Sequence, residues 1–531
     1  MTGAASAPGR AWRTLPAPAR AALMAALGAL ANLAFAPWFL LPVLPVTLGA
    51  LYLVSQSERW PRAAAAGFWF GLGHFAFGLS WITEAYRMRP DIPDWLGPPS
   101  VLALALYLAC YPAAVAGLAA AIPGRARRGM LAPALFAGLW AAGEYLRGIL
   151  FTGFPWNPLA AGLAFSAPTL QPLAVIGPHA AGLIVALAAV LPAEALRRRP
   201  GGAARAWTAW ALFLLLFAGW PAAGWLRLAA LSAPGTVPGV TLRLVQPDID
   251  QREKWDPDRA GAHLARLMRL SGSLERPPHG RLVIIWPEAA IPEYRLADQP
   301  GRRALIMRML PRDSLLVTGS PRLETEPDGG WRLFNSLFVL GPHGGLLAVY
   351  DKRHLVPFGE YLPARPLLAR LGLRTIVDSS VDFSAGRDGA VIALAGLPAF
   401  APAICYEAIF PETARAARRR GARFLLNVTN DAWFGRRAGP HQHLALARMR
   451  AAETGLPLVR VAQTGISAVV DGTGRMLLKI GLGRMETRDA PLPAAAPPTP
   501  YVRHGESVFA GLLILLVLLA IMAGVRYSIS E

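Results

Sequence analysis

Eight apolar runs, each near the length that a bilayer core demands, divide this chain, and its one long polar stretch lies between the last two. The runs fall at residues 20–36, 39–56, 63–82, 100–122, 131–147, 170–195, 206–228 and 507–525. Buried in hydrocarbon, every backbone N–H and C=O needs an internal partner, and a helix supplies one to each. The expected architecture is a multi-pass α-helical membrane domain of about eight transmembrane helices with one inserted domain. Residues 1–228 hold seven of the helices, 229–505 the insert and 506–531 the last helix.

Charge sets the orientation. The chain is 54% hydrophobic with a net charge of +20, a balance that in a soluble protein would suggest nucleic acid. Here the arginines sit in short loops rather than in a concentrated face, so no nucleic-acid partner is expected. Arg10, Arg13 and Arg20 precede the first run, and Arg59 and Arg62 follow the second. Arg125, Arg127 and Arg128 follow the fourth run, Arg197, Arg198, Arg199 and Arg205 the sixth, and Arg526 the eighth. The alternate loops are poorer in arginine, so both termini read as cytoplasmic and the insert as lying on the opposite side. Ala34-Phe35-Ala36 has the look of a cleavage site, but Pro37 and seven further runs favour a retained helix. The stretch APLPAAAPPTP (490–500) reads as a linker back to the last helix.

The insert alternates short apolar runs, many of them β-branched, with amphipathic ones. Strands are expected at 240–246, 281–286, 314–320, 336–340, 346–350, 398–404, 423–429, 457–462 and 466–471, and helices at 256–272, 411–421 and 439–455. This is an α/β layered domain large enough for a core of its own. Three reactive side chains follow expected strands: Glu288, Lys352 and Cys405. A carboxylate base, an ammonium for an oxyanion and a thiol nucleophile are the parts of an acyl-transfer site. Only three of the 53 basic residues are lysines, which favours Lys352 as a position needing a compact ammonium, although Lys254 and Lys479 are as rare. Of the two cysteines, Cys110 lies in the fourth run and Cys405 in the insert, too few for a disulfide framework. His441 and His443 lack a third ligand nearby, so no metal is expected, and the chemistry needs no cofactor.

The order Glu288, Lys352, Cys405 resembles the nitrilase, or carbon–nitrogen hydrolase, superfamily. Six motifs in series extend the resemblance to the bacterial apolipoprotein N-acyltransferases. They are GEYLRGILFTGFPWNPL (143–159), VQPDIDQREKWDP (245–257), WPEAAIP (286–292), DKRHLVPFGEYLP (351–363), ICYEAIFPE (404–412) and NVTNDAWFG with GPHQH (427–443). The resemblance implies an extracytoplasmic nitrilase-like αββα sandwich, in the periplasm of a bacterium whose inner membrane holds the helices. Cys405 would be the nucleophile, Glu288 the general base and Lys352 the oxyanion partner. Glu360 matches a supporting glutamate, Tyr406 and Glu407 shape the pockets, and Trp255, Phe358 and Trp156 match substrate-facing aromatics.

The implied reaction moves a fatty acyl group from a membrane phospholipid through a Cys405 thioester to the N-terminal amine of a diacylated apolipoprotein. A membrane-tethered amidase or nitrilase using water is the alternative, and a transporter with an outer binding domain ranks third. The apolar, arginine-dotted stretch 356–377 suits a mobile arm dipping into the interface. Glu144 and Arg147, near the end of the fifth run, are expected to pair or to face a cavity.

Overall fold

The computed structural model describes residues 12–89, 91–123, 129–198, 203–232, 235–272, 280–292, 296–327, 329–368, 370, 382–387 and 391–525. They form two compact units: Met1–Ser80, Pro98–Leu231 and Thr499–Glu531 in one, Trp81–Gly97 and Ser232–Pro498 in the other.

In the first unit each apolar run becomes a helix. These are α1 (Ala17–Ala31), α2 (Val43–Ser57), α3 (Trp60–Gly78), α4 (Gly97–Ala121), α5 (Leu131–Ile149), α6 (Leu173–Arg198), α7 (Ala203–Ala230) and, after the insert, α12 (Ser507–Val525). Among the described residues four helical stretches are long and apolar enough to cross a membrane: Ala17–Ala34, Asp94–Ala121, Leu173–Arg197 and Ala203–Ala230. Trp207, Leu214, Leu215 and Trp225 on α7, and Ile514, Leu515, Val517 and Leu518 on α12, stand exposed. Apolar surface of that extent is stable only against lipid or another apolar face. Arg10, Arg125, Arg127, Arg128, Arg199 and Arg526, on which the expected orientation draws, lie outside the described residues.

Glu144 and Arg147 serve the turn that follows their own helix. Glu144 Oε1 accepts from Trp140 Nε1 at 3.0 Å and from Leu159 N at 2.9 Å. Arg147 Nη1 donates to the carbonyls of Phe154 and Trp156, both at 2.8 Å. The motif at 143–159 is thus a helix end and the irregular loop it holds, whose polar groups would otherwise be costly in an apolar setting.

The second unit is a sandwich of two six-stranded sheets. One has the order β12-β1-β2-β3-β4-β5 and the other β11-β10-β9-β8-β7-β6. The first comprises β1 (Thr236–Gln246), β2 (Arg281–Ile285), β3 (Leu315–Thr325), β4 (Trp331–Leu340), β5 (Leu346–Asp351) and β12 (Glu486–Pro493). The second comprises β6 (Ile392–Leu394), β7 (Leu397–Ile404), β8 (Phe424–Thr429), β9 (Leu458–Ala462), β10 (Ser467–Val470) and β11 (Met476–Ile480). Leu242, Leu244, Val283, Ile285, Val317 and Val339 meet Phe400, Ile404, Leu426, Val428 and Val459 between the sheets. Helices α8 (Pro257–Gly272) and α9 (Pro300–Arg308) cover the first sheet through Leu267, Ile306 and Met307. Helices α10 (Pro411–Arg419) and α11 (Ala438–Thr454) cover the second through Ala414, Ala417, Leu444 and Ala451. The layering is therefore αββα. Strands buried on both faces, such as β2 from Leu282 to Ile285, read as unbroken apolar runs because neither face needs a polar residue.

Three features depart from the sequence reading. Residues 490–493 belong to β12, not to a linker, and β12 pairs antiparallel with β1 at the sheet edge. Its prolines are tolerated there because one side of an edge strand needs no ladder bonds. Strands β6 and β11 and helix α9 had no expected counterpart. The loop Trp81–Gly97, between α3 and α4, groups with the sandwich, where the Trp81 ring packs edge-on to Phe434 at 4.5 Å. The arm expected at 356–377 lies partly outside the described residues, which omit 369 and 371–377 of it.

Candidate active site

Strand direction brings the reactive residues together. β1, β2 and β3 are parallel to one another, as are β7, β8 and β9. Two antiparallel pairings turn β5 back into the direction of β3. Glu288 follows β2, Lys352 follows β5, Cys405 follows β7 and Asn430 follows β8, all at C-terminal strand ends. The two sheets meet at this edge, where Asn430 N donates to Glu288 Oε2 at 2.8 Å.

The turn carrying Glu288 is stitched to β3. Trp286 N donates to Val317 O at 2.8 Å and Gly319 N to Pro287 O at 3.2 Å. A Cβ on Gly319 would come within 2.3 Å of Ala289 N and 2.7 Å of Glu288 Cα, so only glycine lets the turn lie this close. Cys405 takes a left-handed φ of 53°, a strained nucleophile position of the kind found at functional sites.

Lys352 Nζ lies 2.9 Å from Glu360 and 3.9 Å from Glu288 Oε1. Asn335 bridges the two carboxylates, its Nδ2 donating to Glu288 Oε1 at 2.8 Å and to Glu360 Oε1 at 3.0 Å. Glu360 also accepts from Val356 N at 2.9 Å. Burial disfavours the Lys352 ammonium, but Glu360 and Glu288 outweigh it and hold its pKa above the ordinary lysine value. Burial pushes the Cys405 thiol up and Glu288 adds to the rise, against the pull of Lys352. Both directions favour a neutral thiol and a charged ammonium.

Glu407 ties the elbow of Cys405 to the strand end of Lys352. Its Oε2 accepts from Ile404 N at 2.7 Å, and its Oε1 from Tyr350 Oη, Arg353 N and His354 N at 2.9, 2.8 and 3.1 Å. Burial raises its pKa against those backbone donors. Tyr406 is buried, with its ring 5.1 Å from Phe410 and 5.8 Å from His354. Trp255 and Phe358 are exposed, at 36% and 49%. Trp156 is a buried residue of the helical unit, stacked on Phe154 at 6.2 Å.

Sequence reading missed four contributors. Asn335 sits in the middle of β4, where nothing in the local pattern marks it. Lys254 is fully buried and donates to the Glu288 carbonyl at 3.0 Å; burial pulls its pKa down to about 8, opposed by Glu288. Asp431 and Arg460 form a buried ion pair at 2.6 Å, with His443 Nδ1 2.9 Å from Asp431. Burial works against the Asp431 carboxylate, but Arg460 and His443 prevail and hold its pKa well below the usual range. His443, weighed above only as a metal ligand, thus belongs to a hydrogen-bond network. No group of three or more His, Cys, Asp or Glu able to hold a metal occurs among the described residues.

Comparison with known proteins identifies the family. A family model described as the apolipoprotein N-acyltransferase N-terminal domain matches residues 27–191, and the carbon–nitrogen hydrolase model matches 241–496. The apolipoprotein N-acyltransferase of Bradyrhizobium diazoefficiens is 40% identical over 94% of each chain. That of Rhodopseudomonas palustris is 37% identical over 94% of this chain and 95% of its own. That of Brucella melitensis is 38% identical over 89% of this chain and 87% of its own. At such identity over nearly its whole length, the chain belongs to the apolipoprotein N-acyltransferase family.

Proposed function

We propose that this protein transfers a fatty acyl chain from a membrane phospholipid to the N-terminal amine of a diacylglyceryl-cysteine apolipoprotein, through a Cys405 thioester. The observation that carries the reading is the buried cluster of Glu288, Lys352 and Glu360 at the strand-end edge that also bears Cys405. In this reading eight helices lie in the bacterial inner membrane with both termini cytoplasmic. Residues 229–505 form the periplasmic catalytic domain, as the loop arginines favour.

A raised thiol pKa means that the proton must leave as the bond forms. Glu288 takes the Cys405 proton while sulfur attacks the ester carbonyl, and the Lys352 ammonium meets the developing oxyanion. The carbon–oxygen bond then breaks, Glu288 returns the proton to the departing alkoxide, and lysophospholipid leaves a thioester behind. The acceptor amine attacks that thioester, Glu288 accepts its proton, and the carbon–sulfur bond breaks as Glu288 returns the proton to sulfur, giving an amide and the free thiol. Asn335 holds Glu288 and Glu360 at fixed separation around Lys352, and the exposed Trp255 and Phe358 contribute to substrate binding.

The test is intact-mass measurement of the detergent-purified chain after mixing with phosphatidylethanolamine, beside Cys405→Ser. The expected result is a fatty-acyl increment on Cys405 that a diacylated lipopeptide discharges. An increment lost equally fast to water would mean a tethered hydrolase, and no increment would overturn the reading.

A further inference from the structure

Gln463 is fully buried at the end of β9, yet neither Nε2 nor Oε1 of its amide has a partner among the described residues. Asn430, buried at the end of β8, likewise leaves its Oδ1 unpartnered. An unsatisfied buried amide costs free energy, so a native fold keeps one where another molecule completes it.

Their backbones are tied to the strand-end edge that carries the proposed base. Asn430 N donates to Glu288 Oε2 at 2.8 Å, and Gln463 N donates to the carbonyl of Thr429, the residue before Asn430, at 3.1 Å. The backbone is fixed on the other side as well, because Asp248 N donates to Gln463 O at 3.0 Å. Asn430 Nδ2 is committed to Gln251 Oε1 at 2.7 Å, which leaves its Oδ1 to accept. The two side chains therefore offer one acceptor on the residue whose backbone holds Glu288 and, at the end of the neighbouring strand, one acceptor paired with one donor.

We infer that Asn430 and Gln463 form a recognition subsite for the acceptor's N-terminal backbone, an inference that rests on the proposed acyl transfer. The Asn430 oxygen accepts from the α-amine and holds it near Glu288, and the Gln463 amide pairs with the N–H and C=O of the first peptide group. The subsite selects a primary amine followed by a peptide unit. The ethanolamine head of a phospholipid supplies the amine but no peptide group, so the subsite separates acceptor from donor.

The test separates the two half-reactions in the full chain. Cys405 is charged with phosphatidylethanolamine, and discharge is timed with a diacylglyceryl-cysteinyl peptide and with a depsipeptide analogue whose first peptide N–H is replaced by oxygen. In the wild type the depsipeptide discharges about tenfold more slowly or worse. Gln463→Met charges at the wild-type rate, discharges the peptide acceptor about tenfold more slowly, and no longer distinguishes the two acceptors. A wild type indifferent to the depsipeptide overturns the inference without any variant. So does a Gln463→Met protein that slows charging as much as discharge, or slows both acceptors by one factor, since the amide would then support the fold or hold a water. A wild type that never charges fails the underlying reading instead.

Discussion

The Nε2 atom of His443 lies 3.1 Å from the carbonyl oxygen of Cys405. Facing a carbonyl, that nitrogen must carry the hydrogen, so α11 reaches the nucleophile's own peptide from behind. Asn427 Nδ2 adds a longer contact to the same oxygen at 3.4 Å. Burial, then the charge of Arg460, lower the His443 pKa, and Asp431 opposes them. The left-handed Cys405 backbone is held from outside, as a strained position requires.

His443 is therefore a positioning residue. His443→Phe is expected to slow Cys405 charging on the order of 100-fold with the KM for the phospholipid unchanged, since a small displacement of a nucleophile costs that much. His443→Gln, whose amide can still donate to the carbonyl, should recover most of the rate. Equal losses in the two variants, or a loss confined to KM, would contradict the assignment.

Glu407 predicts a different failure. Its two oxygens accept from Ile404 N, Tyr350 Oη, Arg353 N and His354 N. Glu407→Gln turns an NH2 toward a donor on one side, leaving at least one donor without an acceptor. The expected cost is about 1–3 kcal/mol of stability together with loss of acyl-enzyme formation. Thermal unfolding in detergent and the burst of thioester read the two effects separately. A stable variant charging at the wild-type rate would remove Glu407 from the machinery.

Lys254 carries a pH signature. Its folded-state pKa of about 8 lies below the ordinary 10.5 because burial penalises the ammonium. Below about 8 both states are protonated and folding bears the full penalty, roughly 3 kcal/mol. Between that pKa and 10.5 the unfolded chain binds more protons, so this contribution to stability rises with pH across the window. Wild-type stability measured relative to Lys254→Met should therefore climb from pH 7 to pH 10. Parallel curves would mean that the ammonium is not held in a low-dielectric site.

How much of this was legible in the sequence depends on how local each signal is. Glu288, Lys352 and Cys405 stand out because each reactive side chain closely follows a short apolar run. Asn335 lies inside β4 and shows its partners only when Glu288 and Glu360, 47 and 25 residues away, fold around it. The Asp431–His443–Arg460 network draws on three elements with no spacing rule to join them. Lys254 was visible as a rare lysine, but rarity does not say that a carbonyl 34 residues on would receive it. The prolines of β12 hid a strand, because a sequence pattern does not tell an edge position from a loop. The eight apolar runs all became helices, since their signal is local and each helix satisfies its own backbone.

Gly319 offers a test of geometry without touching a reactive group. A Cβ there would meet Ala289 N at 2.3 Å and Glu288 Cα at 2.7 Å, both backbone atoms that no rotamer change can move aside. Gly319→Ala should therefore push the Glu288 turn off β3 and carry the carboxylate away from Lys352 and Asn430. Acyl-enzyme formation is expected to fall on the order of 100-fold. Alkylation of Cys405 by a small thiol reagent well above pH 9, where hydroxide serves as base, should proceed at close to the wild-type rate. Gly511→Ala is the control, because nothing within 4 Å would meet its Cβ and the same one-carbon change should leave charging intact. If Gly319→Ala charges as fast as Gly511→Ala, the close packing of β3 on the Glu288 turn is not what positions the base.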